Sequence, residues 1–291
     1  MLGILVIDKP LGITSHDVIN RVRRALGTRR VGHAGTLDPL ATGALVVAVG
    51  PATRFLQYLP LEPKVYEGTF HFGETTLTQD REGEVTQTRP VPDDLEARLV
   101  EACPGFVGEI EQLPPMYSAV KKAGQPLYAY ARRGEEVERE TRNVYIDELS
   151  LLGINGPDVQ VRVVCSGGTY VRTLAHDLGE AVGCGGHLAG LRRTAVGLFT
   201  LEQAVPLDAI TPECLVPLHE ALPPLRMVTI NDTQVGMVRE GQVVRVREVI
   251  EDKVVGLVNE RGLVVAVARP QPGGMLQPDC VLPPEATGDL V

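Results

Sequence analysis

The sequence has no tryptophan and only 4% aromatic residues, so stacking on a nucleobase or sugar ring would fall to tyrosine or imidazole. Cysteine is scarce and odd in number: Cys103, Cys165, Cys184, Cys214 and Cys280 are widely spaced, without a C-x-x-C pair. That pattern argues against a disulfide framework and against a zinc site, and no metal is expected. No apolar run approaches the length of a membrane span. The first run, Leu2–Ile7, is too short for a signal-peptide core and lacks a basic segment before it, so a cytoplasmic protein with no membrane partner is expected. Net positive charge is also lacking. At −9 the whole chain points away from nucleic acid, yet residues 1–54 carry seven Lys or Arg against Asp8, Asp17 and Asp38, a local excess of +4.

What is present is concentrated in one stretch of that basic end, Gly32-His33-Ala34-Gly35-Thr36-Leu37-Asp38-Pro39-Leu40-Ala41-Thr42-Gly43. Its glycines permit backbone conformations and close approaches that side chains would block, and it holds an imidazole and a carboxylate five residues apart. In isolation, Asp38-Pro39 reads as a helix N-cap with proline at the first helical position. Before it, a buried strand over residues 2–7 breaks at Pro10-Leu11-Gly12. A helix capped by Thr14 or Ser15 then carries Val18, Ile19, Val22 and Leu26 inward and Arg21 and Arg24 outward. An arginine-rich helix face is most often just a solvated face.

Further along, Gly43–Gly50 reads as a strand, Thr53–Leu59 as a short helix, and Val65–Gly73 as a strand with Tyr66, Gly68, Phe70 and Phe72 on one face. Residues 74–84 read as a polar loop, 93–103 as a helix, 106–112 as a strand and Leu127–Arg133 as a short helix. Glu135–Arg142 mixes both signs and is expected to be solvated. Val144–Ile154 and Val159–Cys165 read as a hairpin across Asn155-Gly156-Pro157-Asp158. After Cys165-Ser166-Gly167-Gly168 a helix is expected from Thr169, with Val171, Leu174, Leu178 and Val182 inward. Arg172 then falls in the first turn, where a cation opposes the helix dipole unless a carboxylate elsewhere answers it or it reaches solvent. Pro212, Pro217, Pro223 and Pro224 suggest a linker, and short valine-rich strands over 241–246, 253–259 and 263–268 suggest a small all-β barrel. Period-two strands with few helices and no regular β-α alternation indicate an α+β fold on a mixed or antiparallel sheet. The expected division is 1–222 for a main domain and 223–291 for the small one.

Taken together these residues resemble the TruB-type pseudouridine synthases. Gly32–Gly43 is similar, without interruption, to the family motif G-H-x-G-T-L-D-P-x-A-x-G. The resemblance continues at Asp8-Lys9-Pro10 with Gly12, Thr14 and Ser15; at Tyr66; at Pro114-Pro115-x-Tyr117-Ser118-Ala119-x-Lys121; at Lys122-x-Gly124 through Gly134; and at 166–178 and 187–196. It covers most of residues 2–200. Where the family commonly has Thr-Asp-Thr, this chain has Thr76-Leu77-Thr78. The resemblance implies the pseudouridine synthase fold with a C-terminal PUA-like domain. It also implies isomerisation of a T-loop uridine in tRNA by glycosidic cleavage, base rotation and C1′–C5 rejoining, after the base is flipped out.

It assigns Asp38 as the catalytic carboxylate, which could attack C1′ or C6 or remove a sugar proton. Arg172 becomes its ion-pair partner, keeping it ionised and lowering its pKa. Tyr66 becomes the tyrosine that stacks on the base and is placed for proton transfer at C5. His33 fills the vacated stack, Leu191 closes the pocket, Lys9 is the pocket-side lysine, and Gly35, Thr36 and Tyr170 complete the substrate contacts. Arg21, Arg24, Arg29, Arg30, Lys121, Lys122, Arg132 and Arg133 are candidate phosphate contacts. No cofactor is implied. A monomer acting on tRNA alone is expected, the acidic chain and its plain Leu290-Val291 end showing none of the long basic tails of guide-RNA-dependent relatives. An RNA-binding or tRNA-folding module with secondary or lost catalysis is the alternative.

Overall fold

The computed structural model describes residues 1–118, 120–223, 225–247 and 250–286; Ala119, Pro224 and the Leu290-Val291 end lie outside them. The chain opens with β1 (Gly3–Lys9), α1 (Ser15–Ala25), β2 (Val31–Ala34) and β3 (Ala41–Val49). Thr14 caps α1 in a reciprocal box with Asp17, which leaves the Ser15 hydroxyl free for other use. A 3-10 helix (Gly50–Tyr58) stands where a short helix was expected. Then come β4 (Lys64–Phe72), the hairpin β5 (Glu74–Thr76) and β6 (Val85–Thr88), α2 (Leu95–Ala102), β7 (Gly108–Gln112), a small hairpin β8 (Lys121–Lys122) and β9 (Gln125–Pro126), α3 (Leu127–Ala131), β10 (Arg142–Asn155), β11 (Asp158–Cys165), α4 (Val171–Ala181), β12 (Gly186–Val196) and β13 (Phe199–Thr200). The main sheet runs β1-β3-β12-β4-β11-β10-β7, with β2 on β3 and β13 on β12. It is mixed, because β12 is parallel to β3 while its other pairings are antiparallel.

Burial accounts for the two textures of the strands. In β1 and β3, Leu5, Ile7, Leu45 and Val47 enter a core under the helices, while Ile4, Val6, Val46 and Ala48 enter a second core on the opposite face. A strand buried on both faces reads as a continuous apolar run. In β4 and β11 only one row, Tyr66, Phe70, Phe72, Val159, Val161 and Val163, is in the core, so these strands alternate.

The stretch from Pro212 to Pro223, expected as a linker, is in part packed on the main domain, with Leu218, Ala221 and Leu222 buried in its second core. Val205 and Val216 bridge to β1, with Val205 N–H donating to Val6 O at 2.8 Å and Val216 N–H to Ile4 O at 2.7 Å. The proline-rich segment thus covers an edge that would otherwise be open for pairing with another chain. Beyond α5 (Leu218–Ala221), five strands form a curled sheet: β14 (Met227–Thr229), β15 (Val244–Arg245), β16 (Val255–Val258), β17 (Val264–Gln271) and β18 (Met275–Val281). This unit, consistent with a PUA-like domain, also contains the α-helix α6 (Asp232–Arg239), capped by Asn231 and Gln234. Val258, Val267 and Cys280 join the second core of the main sheet, and the Tyr58 hydroxyl donates to Asp279 at 2.8 Å.

Close backbone approach sets where α4 lies. A Cβ on Gly179 would stand 2.2 Å from the Gly186 nitrogen, so α4 rests directly on the start of β12. Gly179→Ala is expected to force them apart and to cost about 2 kcal/mol or more, read as a lower denaturation midpoint in urea.

Candidate active site

The motif 32–43 is less of a loop than its composition suggests. Its first residues belong to β2 and its last to β3; only 35–40 leave the sheet. β2 and the middle of β12 share one edge of β3, with His33 against Val47 and Leu191 against Ala41, and residues 35–40 rise where those two neighbours part. No helix follows Asp38, so the N-cap reading is corrected: Ala41 N–H donates to Asp38 O at 3.0 Å, a turn that leads straight into β3. Gly43 (φ +100°) is required here, since a Cβ would lie 2.2 Å from Arg193 O.

The turn is held from several sides. The Ser15 hydroxyl donates to Leu37 O (3.0 Å) and accepts from Leu37 N–H (2.8 Å). Gly12 N–H donates to Pro39 O at 2.9 Å, and Lys9 Nζ to Pro10 O at 3.0 Å. Leu37 and Leu40 are buried in the first core. These contacts give the first strand and its following turn a shared task, presenting Asp38 in one geometry.

Arg172 meets Asp38 from the first turn of α4, whose preceding residue Tyr170 is gripped by buried Gln112 of β7: Tyr170 N–H donates to Gln112 Oε1 at 3.0 Å. The guanidinium Nε lies 3.1 Å from Asp38 Oδ2, and Nη1 lies 3.0 Å from Asp80 Oδ2. Nη1 also donates to Thr78 O (3.1 Å) and Nη2 to Tyr117 O (2.9 Å). The cation at the helix start therefore has two carboxylates. Asp80, within the expected polar loop, was not foreseen; it accepts from the Thr78 hydroxyl (2.6 Å) and Glu82 N–H (3.1 Å). Its only signal in the sequence is the need of Arg172 for an anion. The Arg172–Asp80 pair is dry, at 7% and 5% side-chain exposure, while Asp38 is 46% exposed.

Asp38 opens into a cavity of about 290 Å³, whose walls also include Gly35, Thr36, Tyr66, Tyr170, Arg172 and Leu191. That volume is at the small end of ligand pockets, roughly 300–1,000 Å³, and suits one nucleoside rather than a helix. Lys64 and Ser118 line it too and were not foreseen; the buried Ser118 hydroxyl has no hydrogen-bond partner among the described residues.

The electrostatics correct one expectation. Confinement pushes the Asp38 carboxyl above its ordinary range; Arg172 and Lys9 act against that and Asp80 with it, so the arginine moderates a raised pKa and does not produce a lowered one. Burial also raises the Tyr66 phenol, with Arg193 opposing.

Other expected residues fall outside the cavity. Lys9 is fully buried beneath the turn, and burial lowers it to about 8 against the pull of Asp38 and Glu82. His33 lies in β2 with Nδ1 buried and without a hydrogen-bond partner among the described residues, its pKa lowered first by burial and then by Arg193. Arg21 and Arg24 border an adjoining cleft with Asp8, Thr42 and Arg192. Arg29 and Arg30 are exposed, with Arg30 Nε donating to Thr53 at 3.0 Å. Lys121 is exposed, and Lys122 donates to Glu138 O. Arg132 stacks on Tyr128, whereas Arg133 is already engaged by Glu135 at 2.8 Å and by the Tyr130 ring.

Residues 23–171 match the sequence profile of the TruB family pseudouridylate synthase N-terminal domain. This chain belongs to the TruB family. Residues 172–228 match the tRNA pseudouridylate synthase B C-terminal domain. The chain is similar to tRNA pseudouridine synthase B of Burkholderia lata, 50% identical over 250 residues that span 82% of this chain and 76% of the relative. It is 45% identical over 289 residues to that of Cupriavidus metallidurans, across 94% and 92% of the two chains. Among solved structures it resembles a chain of a Cbf5-Nop10-Gar1 complex, with 28% identity and a TM-score of 0.72 over 99% of this chain and 87% of that one. A chain of an H/ACA RNP bound to a substrate RNA containing 2′-deoxyuridine gives 26% identity and a TM-score of 0.71, covering 99% and 88%. The mixed sheet and its cleft are the pseudouridine synthase fold, and the TruB-family chain is an isomerase of that class.

Proposed function

We propose that this enzyme converts a uridine in the T-loop of tRNA to pseudouridine, acting as a monomer in the cytoplasm without a guide RNA. The observation that carries the reading is a carboxylate, Asp38, opening into a nucleoside-sized cavity beside Tyr66 and an arginine anchored on a second carboxylate. High identity to proteins named tRNA pseudouridine synthase B supports the tRNA substrate.

The target nucleotide is extruded into the cavity at a cost of roughly a few kcal/mol of unstacking. Asp38 acts as nucleophile or base while the C1′–N1 bond breaks. The uracil turns between Tyr66 and Leu191, C1′ rejoins C5, the C5 proton leaves and N1 gains one, so the reaction is a net isomerisation. Tyr66 is the group placed to relay that proton, and Arg172 keeps the Asp38 carboxylate oriented. His33, Lys9, Gly35, Thr36 and Tyr170 act in binding or in shaping the turn, and the exposed arginines and lysines named above track the phosphates. Residues 1–222 form the catalytic unit and 223–291 an RNA-binding unit; the last residue pairing with the main sheet is Val216 and the second sheet begins at Met227.

The test is to incubate the purified chain alone with an unmodified T-stem-loop transcript. Conversion of one T-loop uridine is expected. Conversion only after adding a guide RNA and partner proteins would overturn the stand-alone reading.

A further inference from the structure

Arg193 is a fully buried side chain, at 0% exposure, and no carboxylate lies within ion-pair distance of it among the described residues. Burying a guanidinium without an anion is costly, and a fold selected only for stability would place an apolar chain there. Its neighbours make the position more demanding, since Lys9, Lys64 and His33 are all close enough for Arg193 to lower their pKa values.

What Arg193 does contact is informative. Nε donates to Ala44 O at 2.8 Å, at the start of β3, and Nη2 donates to Gly35 O at 3.0 Å, where the Asp38 turn leaves β2. Strand register sets Arg193 opposite Gly43 on one side and Tyr66 on the other. Nη1 has no hydrogen-bond partner among the described residues and lies 3.3 Å from where a Cβ on Gly35 would stand. One planar fork therefore bridges the strand that follows the Asp38 turn and the turn itself, from a residue paired in register with Tyr66 on the strand that carries the phenol.

We infer that Arg193 is a positioning residue, which holds the Asp38 turn and the Tyr66 phenol in one fixed geometry facing the same nucleoside. This rests on the reading of Asp38 and Tyr66 given above. Burial raises the Tyr66 phenol most, the Arg193 charge draws it back toward lower pKa, and Cys165 and Asp38 add to the rise. Lysine would keep the charge but lacks the fork that bridges two carbonyls.

The experiment uses the full chain with a fluorinated tyrosine at position 66, titrated by fluorine NMR, with Arg193 intact or replaced. In Arg193→Met the phenol midpoint is expected to move up by about one unit or more. Single-turnover isomerisation is expected to slow at least ~30-fold, with affinity for the T-stem-loop changed less than about threefold. Arg193→Lys is expected to return the midpoint most of the way while recovering only part of the rate. Should Arg193→Met not fold, Arg193→Lys is combined with Tyr66→Phe; its effect in that background is expected to shrink, because the two residues act as a unit. An unmoved phenol midpoint in Arg193→Met, or rate losses that simply multiply in the double variant, would overturn the inference. The titration needs no substrate, so inactivity of the unsubstituted chain on the T-stem-loop would count against the function and not against this contact.

Discussion

Asp38→Asn is expected to lower single-turnover pseudouridine formation by at least ~10⁴-fold, with tRNA affinity changed less than about threefold. Asparagine keeps the shape of the side chain and its hydrogen-bonding reach but removes the anion that attacks or abstracts. The pocket walls that would grip the nucleotide are untouched, so binding and catalysis should separate. Folding should survive, because Asp38 is 46% exposed to the cavity and Arg172 retains Asp80. The wild-type rate should also fall as pH drops through a value above the ordinary carboxylate range, since the active form is ionised and confinement raises that carboxyl.

The second large effect is expected at a residue outside the cavity. Asp80→Asn removes one side of a buried ion pair, a change that costs about 3–5 kcal/mol when the other charge is left behind. Here Arg172 keeps Asp38, Thr78 O and Tyr117 O, which places the stability loss at the low end, measurable in urea unfolding. Catalysis is expected to fall ~100-fold, because the arginine is no longer clamped and a loosely held orienting group loses rate steeply. The acid limb carries a sign that distinguishes the two partners. The Asp80 charge raises the Asp38 pKa, so Asp80→Asn should move the limb to lower pH; Arg172 lowers it, so Arg172→Met should move the limb to higher pH. A shift in the same direction for both variants would contradict the network.

Much of the fold was legible because it is written in local patterns. The capped helix α1, the one-sided strand β4, the hairpin at 155–158 and the inner face of α4 all follow from periodicity and turn residues. The misses share a cause in long-range contact. The stretch around Pro212, Pro217 and Pro223 reads as a linker because prolines interrupt any period, yet Val216 within it pairs with the open edge of β1. The short helix α6 carries only a cap signal within a valine-rich stretch. Asp80 and Arg193 leave no trace in spacing, since each is defined by a partner about ninety to one hundred and fifty residues away. The site motif itself was legible, but the direction of the Asp38 pKa was not. That sign depends on desolvation by walls drawn from five separated segments, which outweighs the cations Arg172 and Lys9 visible from the sequence.

The most direct test is a count of pseudouridine in an unmodified tRNA transcript after exposure to the purified chain, beside Asp38→Asn protein shown to bind the same transcript. One pseudouridine per transcript in the T-loop with the unsubstituted chain, and none with the variant, is the expected result. Turnover by the tRNA-bound Asp38→Asn protein would contradict the assignment of Asp38 as the group that performs the reaction.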